Sequence, residues 1–175
     1  MVIIPEVDDH DRIIGMRSRD EFLNSPHIRR CSFLILFDNK KNTLLQKRIA
    51  TKKLYPGLYT AAVSGTVDGD ETYEQTIERE MKEEIGISVP YQELFKIHYS
   101  SSLHNAFCMV YQAVYPETVE QSFRIQEEEV DHVKWIPLST LRSLLAVQPE
   151  LFTPPFRKVM DTYFREGFQA NSKKG

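Results

Sequence analysis

Between residues 65 and 87 the chain places three glutamates, Glu80, Glu83 and Glu84, at the i, i+3 and i+4 spacing that gathers side chains on one face of a helix. No other segment restricts fold and chemistry as tightly. Like charges this close repel one another, and each disfavours ionisation of the next. A divalent cation relieves that repulsion. Hard ions such as Mg²⁺ or Mn²⁺ take oxygen ligands, with carboxylates, waters and phosphate oxygens completing the shell. Read as bland structure, the same residues form a solvated helix face where Arg79 and Lys82 intersperse with the glutamates. The flanking residues favour the cation. Gly65 and Gly69 permit tight turns and close approach of a ligand to the backbone. The helix start behind them favours an anion. Thr72 with Gln75 is a capping box and Gly86 a helix stop, which predicts a helix over 73–85.

Strand and helix signals alternate through the rest of the chain. β-Branched residues at 2–7 and 12–16 flank Asp8-Asp9-His10-Asp11 and predict an N-terminal hairpin. Ser18 to Glu21 reads as a capping box opening a short helix that Pro26 breaks. Strands are expected at 33–37, 43–48 and 59–64, with a brief extended stretch at 87–89. Paired strands at 95–99 and 106–115 flank a polar loop, 100–105, expected to be exposed. Residues 117–129 are acidic and less regular, and 130–136 form another strand. Pro137-Leu138-Ser139 starts one helix and Pro154-Pro155 the last. The last helix carries an apolar stripe of Phe156, Val159, Met160, Tyr163 and Phe164, which reads as core packing, and residues 169–175 should fray. A mixed central sheet with interspersed helices is an α/β arrangement.

With 175 residues the chain fits a single domain: hairpin and short helix at 1–28, core at 29–148, C-terminal helix at 154–168. A net charge of -3 argues against binding nucleic-acid polymers or a membrane surface. Cys31 and Cys108 have apolar or aromatic neighbours and read as buried free thiols in a reducing compartment. With no secretory signal and no apolar run near the ~20 residues of a membrane span, a cytoplasmic location is expected. His98, His104 and His132 lack zinc spacing and read as surface or satisfied histidines. A homodimer stays open.

Gly65, Glu71, Arg79, Glu80, Glu83, Glu84 and Gly86, with Met81 and Ile87 at the aliphatic positions, match the Nudix box, G-x5-E-x7-R-E-U-x-E-E-x-G-U, without a departure. The chain therefore resembles the Nudix hydrolases, closely in the box and more loosely over residues 30–141. The resemblance implies a Nudix-type α/β/α sandwich, with a strand–loop–helix catalytic unit that hydrolyses a diphosphate linkage in a nucleoside diphosphate derivative or related organic diphosphate. It implies Glu80 and Glu84 as the main ligands of Mg²⁺ or Mn²⁺, with the Gly65 carbonyl as an accessory ligand. Glu83 matches a further ligand or the general base. Arg79 and Glu71 match positions that hold the glutamates by charge-assisted hydrogen bonds. The family's base is not always in the box, so the run Glu127, Glu128 and Glu129, with Glu128 at its centre, competes with Glu83; its bland reading is an exposed acidic turn. Phe33, Arg48, Tyr55 and Tyr59 precede the box, where the family lines its substrate pocket. Ordinary strand packing and solvent exposure are the competing readings for those four.

The first residues and the run from Leu45 through Tyr55-Pro56-Gly57 to Gly65 resemble the isopentenyl-diphosphate-isomerase-like branch. That branch's isomerases carry a catalytic cysteine in the strand entering the box, where this chain has Thr60-Ala61-Ala62-Val63-Ser64. Arg29-Arg30 stands where His-Arg is frequent. These departures and the intact box favour a hydrolase acting on a small-molecule diphosphate. An isomerase and a non-catalytic ligand-binding module are the alternatives.

Overall fold

The computed structural model describes residues 2–116 and 122–170. Part of the acidic stretch at 117–129, and all but the first two residues of the expected frayed end, lie outside the described residues. Strands β1 (Ile3–Val7) and β2 (Ile13–Ser18) form the expected hairpin. The capping box at Ser18 and Glu21 is present, but it opens only a 3-10 turn, Arg19–Phe22. The main sheet comprises β3 (Arg29–Phe37), β4 (Asn42–Arg48), β5 (Tyr59–Thr60), β6 (Val63–Thr66), β7 (Tyr91–Ser100), β8 (Asn105–Val114) and β9 (Val130–Pro137). Its order is β5-β4-β3-β8-β7, with β6 also paired to β3 and β9 to β4. β3 and β8 run parallel and the other pairs antiparallel, so the sheet is mixed as expected.

β3 is buried on both faces, which its unbroken apolar run from Phe33 to Phe37 requires. Phe33, Ile35 and Phe37 join one core, and Leu34 and Leu36 the opposite one, in the two-residue period of a strand. Helix α1 (Tyr73–Glu84) covers the second face with Tyr73, Ile77 and Met81. Helices α2 (Leu138–Val147) and α3 (Pro154–Arg165) cover the first. The α3 stripe is core as read: Phe156, Val159, Met160 and Tyr163 are buried. Each such side chain contributes about 1.5–3 kcal/mol through burial. The result is the expected α/β/α sandwich. No helix among the described residues is long and apolar enough to cross a membrane.

The expected strand at 59–64 is two short strands, interrupted because β5 pairs with β4 while β6 pairs with β3. Residues 87–89 form no strand. Gly86, at φ 71°, ends α1 and turns Ile87 into the core, where its N–H donates to the Met81 carbonyl at 3.0 Å. β3 and β4 meet only at Phe37 and Thr43, so they diverge toward the other end, where β6 lies against β3.

The hairpin is latched to α1 through Asp11. Its carboxylate accepts from Arg30 Nε at 2.7 Å, Lys96 Nζ at 2.5 Å and the Tyr73 hydroxyl at 3.1 Å. Asp11 holds φ 62°, a conformation that asparagine tolerates as well as aspartate. Asp11→Asn thus removes the charge without straining the turn. It is expected to lower unfolding free energy by about 2 kcal/mol, read from urea titration, because two cations lose their buried partner.

Candidate active site

α1 meets the sheet beside β6. Gly65 pairs with Ser32 of β3, and a Cβ at Gly65 would collide with the Glu80 carboxylate and its Cγ. The bare Cα therefore gives Glu80 a place to fold over the strand. One turn on, Glu84 is 3% exposed. Its Oε2 accepts from the Ser64 backbone N–H and from Gln46 Nε2, both at 3.0 Å. Both bonds converge on one oxygen, which leaves Oε1 for a further ligand. Burial, and then the Glu80 charge, push the Glu84 pKa up to about 8. Glu80 is pushed up to about 7, chiefly by burial, while Arg79 pulls it down.

Arg79 ties the box together. Nε and Nη2 donate to the two Glu71 oxygens at 2.7 and 3.0 Å. Nη1 donates to Glu80 at 2.7 Å and Glu83 at 3.0 Å, and Nη2 also reaches the Thr66 carbonyl at 3.3 Å. Glu71 is held below the ordinary carboxylate range, first by Arg79 and then by the Thr76 hydroxyl at 2.8 Å. Thr72 caps α1 reciprocally with Gln75, fixing where the helix begins.

The three glutamates do not form one preassembled set. Glu80 and Glu84 are a buried pair, whereas the Glu83 side chain is 49% exposed and drawn outward to Arg79. Among the described residues no three His, Cys, Asp or Glu side chains converge closely enough to hold a metal as they stand. The donor chemistry nevertheless fits a hard cation. Two buried carboxylates with raised proton affinity, one with an uncommitted oxygen, are oxygen donors short of positive charge.

These groups open onto a cavity of about 460 Å³ whose wall includes Phe33, Arg48, Tyr55, Gly65, Glu80, Glu83 and Glu84. Arg48 donates to the Leu54 carbonyl from Nε and Nη2 at 3.2 and 3.0 Å, a fixed rather than solvated arginine. Tyr59 is a correction. Strand alternation puts Thr60 on the cavity side, while the Tyr59 hydroxyl contacts His132 Nε2 at 3.2 Å and its ring receives Lys134 Nζ at 4.2 Å. Glu128 is exposed; of the acidic run it is Glu129 that lines the cavity, ion-paired with Lys52.

Sequence reasoning missed Gln46, Arg29 and His104. Gln46 had little signal: it follows Leu44 and Leu45 but precedes Lys47 and Arg48, yet it is buried in the fold. His104 gave none, since it sits in a polar loop yet is buried, against the expectation of an exposed loop. Cys31 and Cys108 are free and buried as expected.

The sequence model of the NUDIX domain matches residues 27–162. With the box geometry and the sandwich fold, this places the chain in the Nudix hydrolase family, to which it belongs. A prenyl-diphosphate phosphatase of Methanosarcina mazei is 41% identical over 165 residues, spanning 94% of this chain and 96% of that protein. Isopentenyl-diphosphate Delta-isomerase 2 of Photorhabdus laumondii is 31% identical over 160 residues, spanning 91% of this chain and 90% of its own. The crystal structure of DR0079 from Deinococcus radiodurans shares the fold, with a TM-score of 0.75 at 19% identity over 91% of this chain and 98% of that one.

Proposed function

We propose that this protein is a divalent-metal-dependent hydrolase of organic diphosphates, with a prenyl diphosphate as the substrate class. The observation that carries the reading is the buried Glu80–Glu84 pair. Their side chains and the Gly65 carbonyl would hold Mg²⁺ or Mn²⁺, which when bound supplies charge neutralisation on the diphosphate and an activated water. Arg79 and Glu71 keep the glutamates in position. Glu83, half exposed and at the cavity wall, is the box carboxylate placed to take a proton from the attacking water, through the oxygen that Arg79 does not hold. Glu129, ion-paired with Lys52, is the rival from outside the box. Arg48 and Lys52 bring positive charge to the cavity, and Phe33, Leu54 and Tyr55 bring apolar surface suited to a hydrocarbon chain.

Support for the prenyl class comes from the Methanosarcina mazei relative and from that mixed wall. The isomerase alternative has the Photorhabdus laumondii relative in its favour and the absence of a cysteine from residues 60–64 against it. A panel of geranyl, farnesyl and isopentenyl diphosphates, ADP-ribose and nucleoside diphosphates, assayed with Mg²⁺, Mn²⁺ or EDTA, decides. Metal-dependent phosphate release from the prenyl diphosphates is expected. Conversion of isopentenyl diphosphate to its isomer without phosphate release, or no metal-dependent turnover at all, would overturn the reading.

A further inference from the structure

Arg29 opens β3 on the face that also carries Cys31 and Phe33, and all three line the cavity. Its residue is 7% exposed, and Nε has no hydrogen-bond partner. Arg30, one residue on and facing the other way, shows what satisfaction looks like: it is bound to Asp11. Leaving a buried guanidinium without an anion costs free energy, so a fold that keeps one in a cavity wall holds it ready for a negative ligand. In the same wall stands His104, 5% exposed, with its ring against the Cys31 thiol. Its ring is wedged against Tyr55 and Tyr99, with centroids at 6.0 and 5.6 Å. The Tyr55 hydroxyl lies beside Tyr99 and Ser101, and Tyr55 sits at φ 54°, a left-handed backbone that directs a bulky residue into the wall.

Charge points the same way. Burial lowers the Arg48 pKa, Glu84 and Glu129 pull it back, and the Arg29 charge lowers it again. Two guanidiniums thus feel each other across a cavity that Glu84 also lines. An oxyanion between them removes the repulsion and meets the unpaired Arg29 Nε–H.

We propose that Arg29, with His104 and Tyr55 in the same wall, forms a phosphate subsite that receives the terminal, unesterified phosphate of the diphosphate. A terminal phosphate offers three free oxygens and up to two charges, enough for the arginine fork and a neighbouring donor. A phosphate esterified on both sides offers fewer oxygens and a single charge. The subsite therefore selects diphosphate monoesters over diphosphates substituted at both ends. This selectivity rests on the hydrolase reading above; the binding of phosphate does not.

The test separates the two. Inorganic diphosphate is titrated calorimetrically into the full-length protein in EDTA, with wild type, Arg29→Gln, Arg29→Lys and Glu84→Gln compared. Wild type and Glu84→Gln should bind, and Arg29→Gln should bind at least about tenfold more weakly. Arg29→Lys, which keeps the charge but loses the fork, should fall between and serves as the deciding variant if the glutamine protein does not fold. Unchanged affinity in a folded Arg29 variant, or no binding to wild type, overturns the subsite. With metal present, Arg29→Gln should raise KM for a prenyl diphosphate more than for ADP-ribose, leaving kcat less affected; equal changes overturn the selectivity. If no diphosphate is turned over, the hydrolase reading fails while the titration still decides on Arg29.

Discussion

Glu84→Gln is expected to cut metal-dependent phosphate release from the best diphosphate substrate by roughly 10³-fold or more, mostly in kcat. Glutamine keeps the volume and one carbonyl oxygen for the Ser64 N–H. It removes the charge that a cation would meet. The protein should remain folded, because a buried carboxylate pushed up to about 8 is already half inclined to be neutral. Circular dichroism and a thermal melt at or above the wild-type midpoint establish that the loss is chemical. Full activity in the folded variant would mean that the buried pair does not hold the metal, and the proposed mechanism would fall with it.

The second large effect is on stability. Glu80 and Glu84 hold their protons more tightly in the folded protein than at the ordinary carboxylate value of 4.5. The folded state therefore binds more protons than the unfolded state between that value and about 8. Stability contributed by these groups is fully present below 4.5 and is lost as pH rises through about 7 and then about 8. In EDTA the unfolding free energy should decline by several kcal/mol across that window. Glu84→Gln should flatten the decline. Millimolar Mg²⁺ or Mn²⁺ should restore wild-type stability at the alkaline end and do little at the acid end, where protons occupy the same oxygens. Denaturant titrations at intervals of pH, with and without metal, check both signs. A wild-type curve that matches Glu84→Gln across the window would show that the pair is not strained.

Much of this architecture was legible because the physics is local. The capping box at Thr72, the stop at Gly86 and the stripe from Phe156 to Tyr163 are short-range signals, and each formed its element. The box glutamates were legible for the same reason. What escaped depends on partners far apart in sequence. Whether Tyr59 or Thr60 faces the cavity depends on the register of β5 against β4. Glu83 and Glu80 look equivalent in spacing, yet Glu80 has the bare Cα of Gly65 to fold against and Glu83 does not. Residues 87–89 have strand-like composition, but the sharp turn at Gly86 commits Ile87 to the core instead of a ladder. Arg29 and His104 reach one cavity wall because β3 runs parallel to β8, a pairing no local pattern announces.

Arg79 carries a last consequence. Its guanidinium spends every N–H on Glu71, Glu80, Glu83 and the Thr66 carbonyl, so it is saturated before any substrate arrives. It acts as a clasp and has no hand left for an incoming phosphate. The cations that greet the ligand must be recruited from strands and loops outside the helix, which leaves the box free to stay constant while the rest of the wall diversifies toward different cargoes.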